Sequence, residues 1–337
     1  MIRTTLTGEK KRPNLLPSKK RLARALRKSF KGLEDSSELV PLFTNKVQAI
    51  LEYIQLCNGK KHVCQNTSLL FNPHRFEITK QPNSPLFLFD AFRNKKENWF
   101  NGLVRAFLFR GCQKGKLELG KNLLDTCIRM NVNGVMYVYE FPPHVARSYC
   151  LKGGVEVDGH VLDPCAGWGG RMLDISTVCN KYTCFEPETR TYHGLKQLCR
   201  FIQELQPHFK ANIHCQPFEE AKLSANAYDM AITSPPYFNT EEYSKEDTNS
   251  LNRFDTFEKW VDGFYLPMIE KTMMALKPGK VFILNIGNRV YPLDEILMSH
   301  FGSQFEIKNM GNQIGGNGGL RSVGKGEIFF RIKKASE

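Results

Sequence analysis

Ser234, Pro235, Pro236 and Tyr237 stand in consecutive positions directly after the apolar run Met230-Ala231-Ile232 and Thr233. A hydroxyl, two proline-linked carbonyls and a phenol ring at this spacing can hold a planar, amine-bearing ring by its edge and its face. The apolar run reads as a short buried strand. The paired prolines stop it, because neither has an N–H to donate and Pro236 restricts the residue before it. In an open parallel sheet, a stiff loop at a strand's carboxyl end is where ligands bind.

A second group of candidate residues lies upstream. His160-Val161-Leu162-Asp163 reads as a strand running into Pro164-Cys165-Ala166-Gly167-Trp168-Gly169-Gly170-Arg171. Glycines at 167, 169 and 170 let the backbone turn sharply and let a bulky ligand approach, and a helix starting near Arg171 presents free N–H groups. The next strand, Tyr182 to Phe185, closes on Glu186-Pro187-Glu188. An acid at that point can accept from both hydroxyls of a ribose, with Glu186 the first choice and Glu188 the alternative. Phe218, after a third strand at Ile213-His214-Cys215, either flanks an adenine ring or packs in the core. The loop lacks the third spaced glycine of the dinucleotide fingerprint, which disfavours a dehydrogenase.

The stretch from Asp163 to Arg171 resembles motif I of class I S-adenosylmethionine-dependent methyltransferases, and Ser234 to Tyr237 resembles the catalytic motif of those that modify exocyclic amino groups of nucleic-acid bases. The resemblance covers about residues 140 to 335 and includes Lys277-Pro278-Gly279 before a fifth strand. It implies S-adenosyl-L-methionine as cofactor, with Asp163, Ala166, Gly167 and Gly169 around its methionine moiety, Glu186 on the ribose and Phe218 beside the adenine. It further implies that Ser234 and the Pro235 carbonyl accept from the target amine, that Pro236 stiffens the loop, and that Tyr237 stacks on the extruded base. Serine at the head of the motif leans toward N4 of cytosine over N6 of adenine, and DNA is the expected polymer. RNA, or a non-catalytic nucleic-acid-binding subunit of the same fold, remains the alternative. A bacterial or phage setting, such as restriction-modification, is the expected context, with a cytoplasmic location, or a nuclear one if eukaryotic.

These loops require a doubly wound α/β sheet, and the chain after residue 150 alternates strand and helix accordingly. Phe254 to Leu276 reads as one long helix, Lys280 to Ile286 as strand five, and Phe305 to Met310 with Glu327 to Ile332 as a terminal hairpin. The glycine-rich stretch from Gly311 to Ser322 connects the hairpin as a mobile loop or a lid.

The first half reads differently. Residues 1 to 150 carry 26 Lys and Arg against 11 Asp and Glu, whereas residues 151 to 337 carry 21 against 23. A polyanion is therefore expected to dock on the N-terminal part. Residues 1–31 form a basic arm in which Leu22, Leu26 and Phe30 make one stripe of a helix, and Arg24, Arg27 and Lys28 are candidate substrate contacts together with Tyr243. Residues 32–140 read as a mostly helical region, with 141–337 as the methyltransferase domain. Residues 32 to 38 look like a hinge. Val47, Ile50, Leu51 and Ile54 fall on one helical face, 58 to 85 is irregular, helices are expected at Lys96 to Arg110 and Leu117 to Met130, and a strand at Gly134 to Phe141.

The ten cysteines show no paired framework and are expected to stay thiols in a soluble intracellular protein. Cys57, His62, Cys64 and His74 have ligand types suited to zinc but no familiar spacing, so no metal is expected. No apolar run approaches the roughly 18 residues needed to span a bilayer.

Overall fold

The computed structural model describes residues 37, 40, 44–61, 63–64, 66–77, 79–80, 144–287, 290–311 and 327–335. The basic arm with Arg24, Arg27 and Lys28, the helices expected at 96–110 and 117–130, the strand expected at 134–141 and the glycine-rich stretch at 312–322 lie outside the described residues.

Among the described residues, seven strands form the central sheet in the order β4 (Lys210–His214), β3 (Lys181–Phe185), β2 (His160–Asp163), β5 (Tyr228–Thr233), β7 (Leu276–Gly287), β9 (Glu327–Lys333) and β8 (Glu306–Asn309). β4, β3, β2, β5 and β7 run parallel, β9 is antiparallel to β7, and β8 is antiparallel to β9. The chain adds β3 and β4 on one side of β2 and then returns to place β5 on the other. That reversal between β2 and β5 is the crevice where doubly wound sheets bind ligands. This strand order, closed by an antiparallel hairpin, is that of the class I methyltransferase fold.

Each sheet face carries its own core. One is covered by α1 (Lys46–Cys57), α2 (Val145–Lys152), α3 (Gly170–Ile175) and α4 (Thr189–Leu205), which bury Tyr53, Tyr149, Met172 and Leu198 among others. The other is covered by α6 (Phe257–Trp260), α7 (Leu266–Ala275) and α8 (Leu293–Phe301), around Trp260, Tyr265 and Phe282. A single turn, α5 (Ser250–Arg253), precedes α6. Val161, Leu162, Met230, Ala231 and Ile232 are all fully buried, as expected for central parallel strands covered on both faces.

Several sequence expectations are corrected. The helix at 46–57 forms, but it buries Ala49, Tyr53 and Leu56, while Val47, Leu51 and Ile54 are 69%, 56% and 47% exposed. Two apolar stripes compete on this helix. The inward one carries Tyr53, whose hydroxyl lies 2.6 Å from Ser176 Oγ and so brings its polar tip into the core satisfied. The third strand begins at Lys210 and ends at His214, leaving Cys215 outside it.

The long helix expected from Phe254 to Leu276 starts at Phe257 and opens into a π turn at Val261–Tyr265 before α7 resumes. Pro267, at the start of α7, cannot donate to the preceding turn, and a Cβ on Gly263 would overlap the Phe254 ring. Lys277-Pro278-Gly279 is a bulge inside β7: the pairing passes from Tyr228 and Leu276 straight to Met230 and Val281.

Ala49, Tyr53, Leu56, Val63 and Cys64 share one core with residues of the methyltransferase sheet, and Arg147 Nη1 caps the end of α1 by donating to the Leu56 carbonyl. The stretch expected to be irregular contains 3-10 turns at Thr67–Leu70 and Pro73–Glu77 and a short strand, β1 (Thr79–Lys80). β1 pairs antiparallel with β6 (Glu241–Glu242), just beyond the proline loop.

Gly194 marks where this N-terminal segment presses on α4. A Cβ there would collide with Asn72 Oδ1 and come within 2.5 Å of the Phe71 carbonyl. Gly194→Ala is therefore expected to cost about 1–3 kcal/mol in urea unfolding. A loss below about 0.5 kcal/mol, the range of neutral surface changes, would show that the segment is not held there.

Described cysteines are free thiols, and no described helix is long and apolar enough to cross a membrane. Among the described residues no three His, Cys, Asp or Glu side chains gather where they could hold a metal ion, and His74 Nε2 is engaged by Thr191 Oγ1; His62 lies outside the described residues.

Candidate active site

The glycine loop and the proline loop leave the carboxyl ends of β2 and β5, which are paired neighbours through Val161–Met230 and Leu162–Ala231. A buried polar network joins their bases. Asp163 Oδ1 accepts from Thr233 Oγ1 at 2.8 Å and Oδ2 from Tyr182 Oη at 2.7 Å and Arg171 Nε at 2.6 Å. The Cys165 N–H reaches Thr233 Oγ1 at 3.0 Å, and the Arg171 guanidinium also donates to the Cys165 carbonyl. Both loops are thus anchored to one carboxylate, with the Arg171 charge neutralised beside it.

The arrangement is centred on Asp163. It is fully buried with both oxygens committed to protein partners, so it shapes the loop from beneath. Ala166 is likewise buried, its N–H given to the Phe185 carbonyl at 2.9 Å. The two glycines divide the remaining work. Gly167 has φ +54° and nothing within 4 Å of where a Cβ would stand, leaving its backbone open to a ligand. Gly169 has φ +91°, and a Cβ there would run into Leu198 and lie 2.9 Å from Leu195 Cδ2, so its small size serves packing against α4.

At the end of β3, Glu186 and Glu188 take different parts. Glu188 is the N-cap of α4, accepting from the Thr191 N–H, with Arg190 Nε at 3.2 Å and His74 Nε2 at 3.5 Å. Hydrogen bonds from His74 and Thr191 outweigh its burial and hold its carboxyl down at about 2. Glu186 keeps an open edge beside Gly167, and its Oε1 accepts the Glu188 N–H at 3.0 Å. Burial is the main reason its carboxyl is pushed up to about 8; the charges of Glu188 and Asp163 add to this, and backbone N–H groups of Glu188 and Gly167 oppose it. Phe218 is buried edge-on against Phe185 at 5.0 Å between ring centres.

In the proline loop, Ser234 and Tyr237 are half-buried and their oxygens lie 3.2 Å apart, closing the loop over itself. Pro235 is buried. Phe238 follows with φ +42° and packs edge-on against Tyr291, whose hydroxyl donates to Asn239 Oδ1. Tyr243 lies further on, its ring 6.1 Å from that of Trp168 in the glycine loop. The return segment is pinned to the acid loop: Glu246 accepts from the Thr189 N–H, and Thr248 Oγ1 donates to the Pro187 carbonyl at 3.0 Å.

Sequence reasoning missed Asn72 and His74, which reach this loop cluster from a stretch without periodicity. Asn72 Nδ2 donates to the Trp168 carbonyl, and the His74 ring meets the Trp168 ring edge-on at 5.5 Å. It also missed Thr233, Tyr182 and Arg171 as partners of Asp163.

The sheet and its loops define a class I methyltransferase fold. Within it, residues 228–314 match the N6_N4_Mtase family model, described as DNA methylase. Similar solved structures include an rRNA methylase from Streptococcus thermophilus, at 13% identity over 59% of this chain and 99% of that one, with a TM-score of 0.39. The tRNA (m1A58) methyltransferase TrmI from Aquifex aeolicus is 12% identical over 59% and 72%, with a TM-score of 0.39. A SAM-dependent O-methyltransferase from Thermotoga maritima is 10% identical over 59% and 68%, with a TM-score of 0.40. No curated protein matches the chain.

Proposed function

We propose that this protein methylates the exocyclic amino group of a base flipped out of DNA, N4 of cytosine in preference to N6 of adenine. The observation that carries this reading is the pairing of β2 with β5, which brings an open glycine turn and a loop of amine acceptors to neighbouring strand tips.

S-adenosylmethionine is the methyl donor, and when bound it supplies a methyl group on a positively charged sulfur. The residues fit such a ligand: Gly167 leaves its backbone uncovered, and the Glu186 carboxylate is turned to that side of the loop, where it accepts from the ribose hydroxyls. Ser234 Oγ and the Pro235 carbonyl accept the two amine hydrogens of the base. Held this way, the nitrogen lone pair turns out of conjugation with the ring. When Ser234 gives its own proton to Tyr237 Oη, both lone pairs of Ser234 are left for the amine. The Tyr237 ring stacks on the base, which must leave its helix to reach the loop. Catalysis here is chiefly positioning, with no covalent link to the enzyme. The surplus of Lys and Arg in residues 1–150 supplies the attraction for phosphates.

The purified protein is expected to move a labelled methyl group from S-adenosylmethionine to cytosine-containing DNA. Transfer only to an RNA of the same sequence would overturn the choice of polymer, and transfer to neither would overturn the activity.

Glu186 gives the reading a pH signature. Only its ionised form accepts from both ribose hydroxyls, and with its carboxyl at about 8 that form is a minority at neutral pH. Adenosine, which carries the ribose and no titrating amine in this range, should bind about tenfold more tightly at pH 9 than at pH 7. The gain should vanish in Glu186→Gln. A flat profile in the native protein would remove Glu186 from the ribose.

A further inference from the structure

Asn72 and His74 touch both loops of the donor site from the N-terminal part of the chain. Asn72 is fully buried, and its Nδ2 donates at 3.1 Å to the carbonyl of Trp168, the residue between the two left-handed glycines. That carbonyl belongs to the Trp168–Gly169 peptide, which turns about a left-handed glycine on one side, and a hydrogen bond to it fixes which way it faces. His74, also buried, lies against the Trp168 ring. Its Nε2 is 2.9 Å from Thr191 Oγ1 and 3.5 Å from Glu188 Oε2. Glu188 in turn gives its N–H to Glu186 Oε1. The chain of contacts therefore runs from His74 through the N-cap of α4 to the carboxylate assigned to the ribose.

We infer that Asn72 and His74 are positioning residues for the methyl donor, setting the Trp168 peptide and the Glu186 carboxylate so that donor affinity depends on the basic N-terminal part. The inference rests on the donor-site reading above. It assigns residues 72–74 to the donor, whereas charge alone assigns their region to the polymer. Neither residue reaches the amine acceptors of the proline loop, so the effect falls on donor binding and leaves the transfer step alone.

The test uses the full chain with S-adenosylhomocysteine as probe. In His74→Ala and Asn72→Ala, the Kd for the probe and the KM for the donor should each rise about tenfold, with kcat at saturating donor within about twofold and DNA affinity unchanged. His74→Gln, whose amide can still meet Thr191, should recover most of the affinity. Thr191→Val, which removes the hydroxyl without shortening the side chain, should reproduce part of the loss. These last two variants decide the matter if His74→Ala fails to fold. Native-like probe affinity in Asn72→Ala, His74→Gln and Thr191→Val alike would overturn the inference, as would a fall in kcat or DNA affinity at unchanged KM. A native protein that binds no S-adenosylhomocysteine would overturn the donor-site reading itself.

Discussion

Ser234→Ala is expected to lower methyl transfer by roughly 10²–10³-fold, the loss typical of removing one preorganised hydrogen-bonding group from a reacting centre. The residue is half-buried and makes one long side-chain contact, 3.2 Å to Tyr237 Oη, so truncation leaves no buried group stranded. Unfolding temperature should therefore barely move. Donor affinity should stay within about twofold, because the proposed reading has Ser234 hold the amine and not the donor. The pattern to look for is a collapse of kcat with an intact donor Kd. Turnover at native rates would mean that the amine is held elsewhere.

Asp163→Ala has the largest expected effect on stability. Removing this carboxylate leaves the Arg171 guanidinium buried without its counter-charge and takes an acceptor from Tyr182 and Thr233. Breaking a buried pair from one side costs about 3–5 kcal/mol, a large share of a domain's total stability. Urea unfolding should record that loss. Asp163→Leu combined with Arg171→Leu should recover much of it, since no charge is then left unpaired. A single variant within about 1 kcal/mol of the native protein, the scale of an exposed pair, would show that the network is not what joins the two loops.

Much of the sheet was legible in the sequence because buried parallel strands are apolar runs that end abruptly. His160 to Asp163 ends on Pro164, Tyr182 to Phe185 on Glu186-Pro187, and Met230 to Thr233 on Ser234 and two prolines. The loops that follow such strands are where chemistry gathers, so Gly167, Glu186 and Ser234 could be singled out before any contact was known. What could not be read were choices decided across the fold. The inward face of α1 follows from Tyr53 meeting Ser176, a contact 123 residues away. Asp163 looked like a ligand-facing acid until Arg171, Tyr182 and Thr233 were found to consume its oxygens. Phe218 could have faced a cavity or the core, and the fold sets it against Phe185 from the neighbouring strand end. Asn72 gave no signal, and His74 only that of a metal ligand type, because their partners Trp168 and Thr191 lie 96 and 117 residues further on.

The most direct test of the central claim is mass spectrometry of nucleosides from DNA and RNA of cells making the native protein, set beside cells making Ser234→Ala. N4-methyldeoxycytidine should appear in the DNA of the first culture and be missing from the second. The same nucleoside profile in both cultures would contradict transfer at the loop between Ser234 and Tyr237.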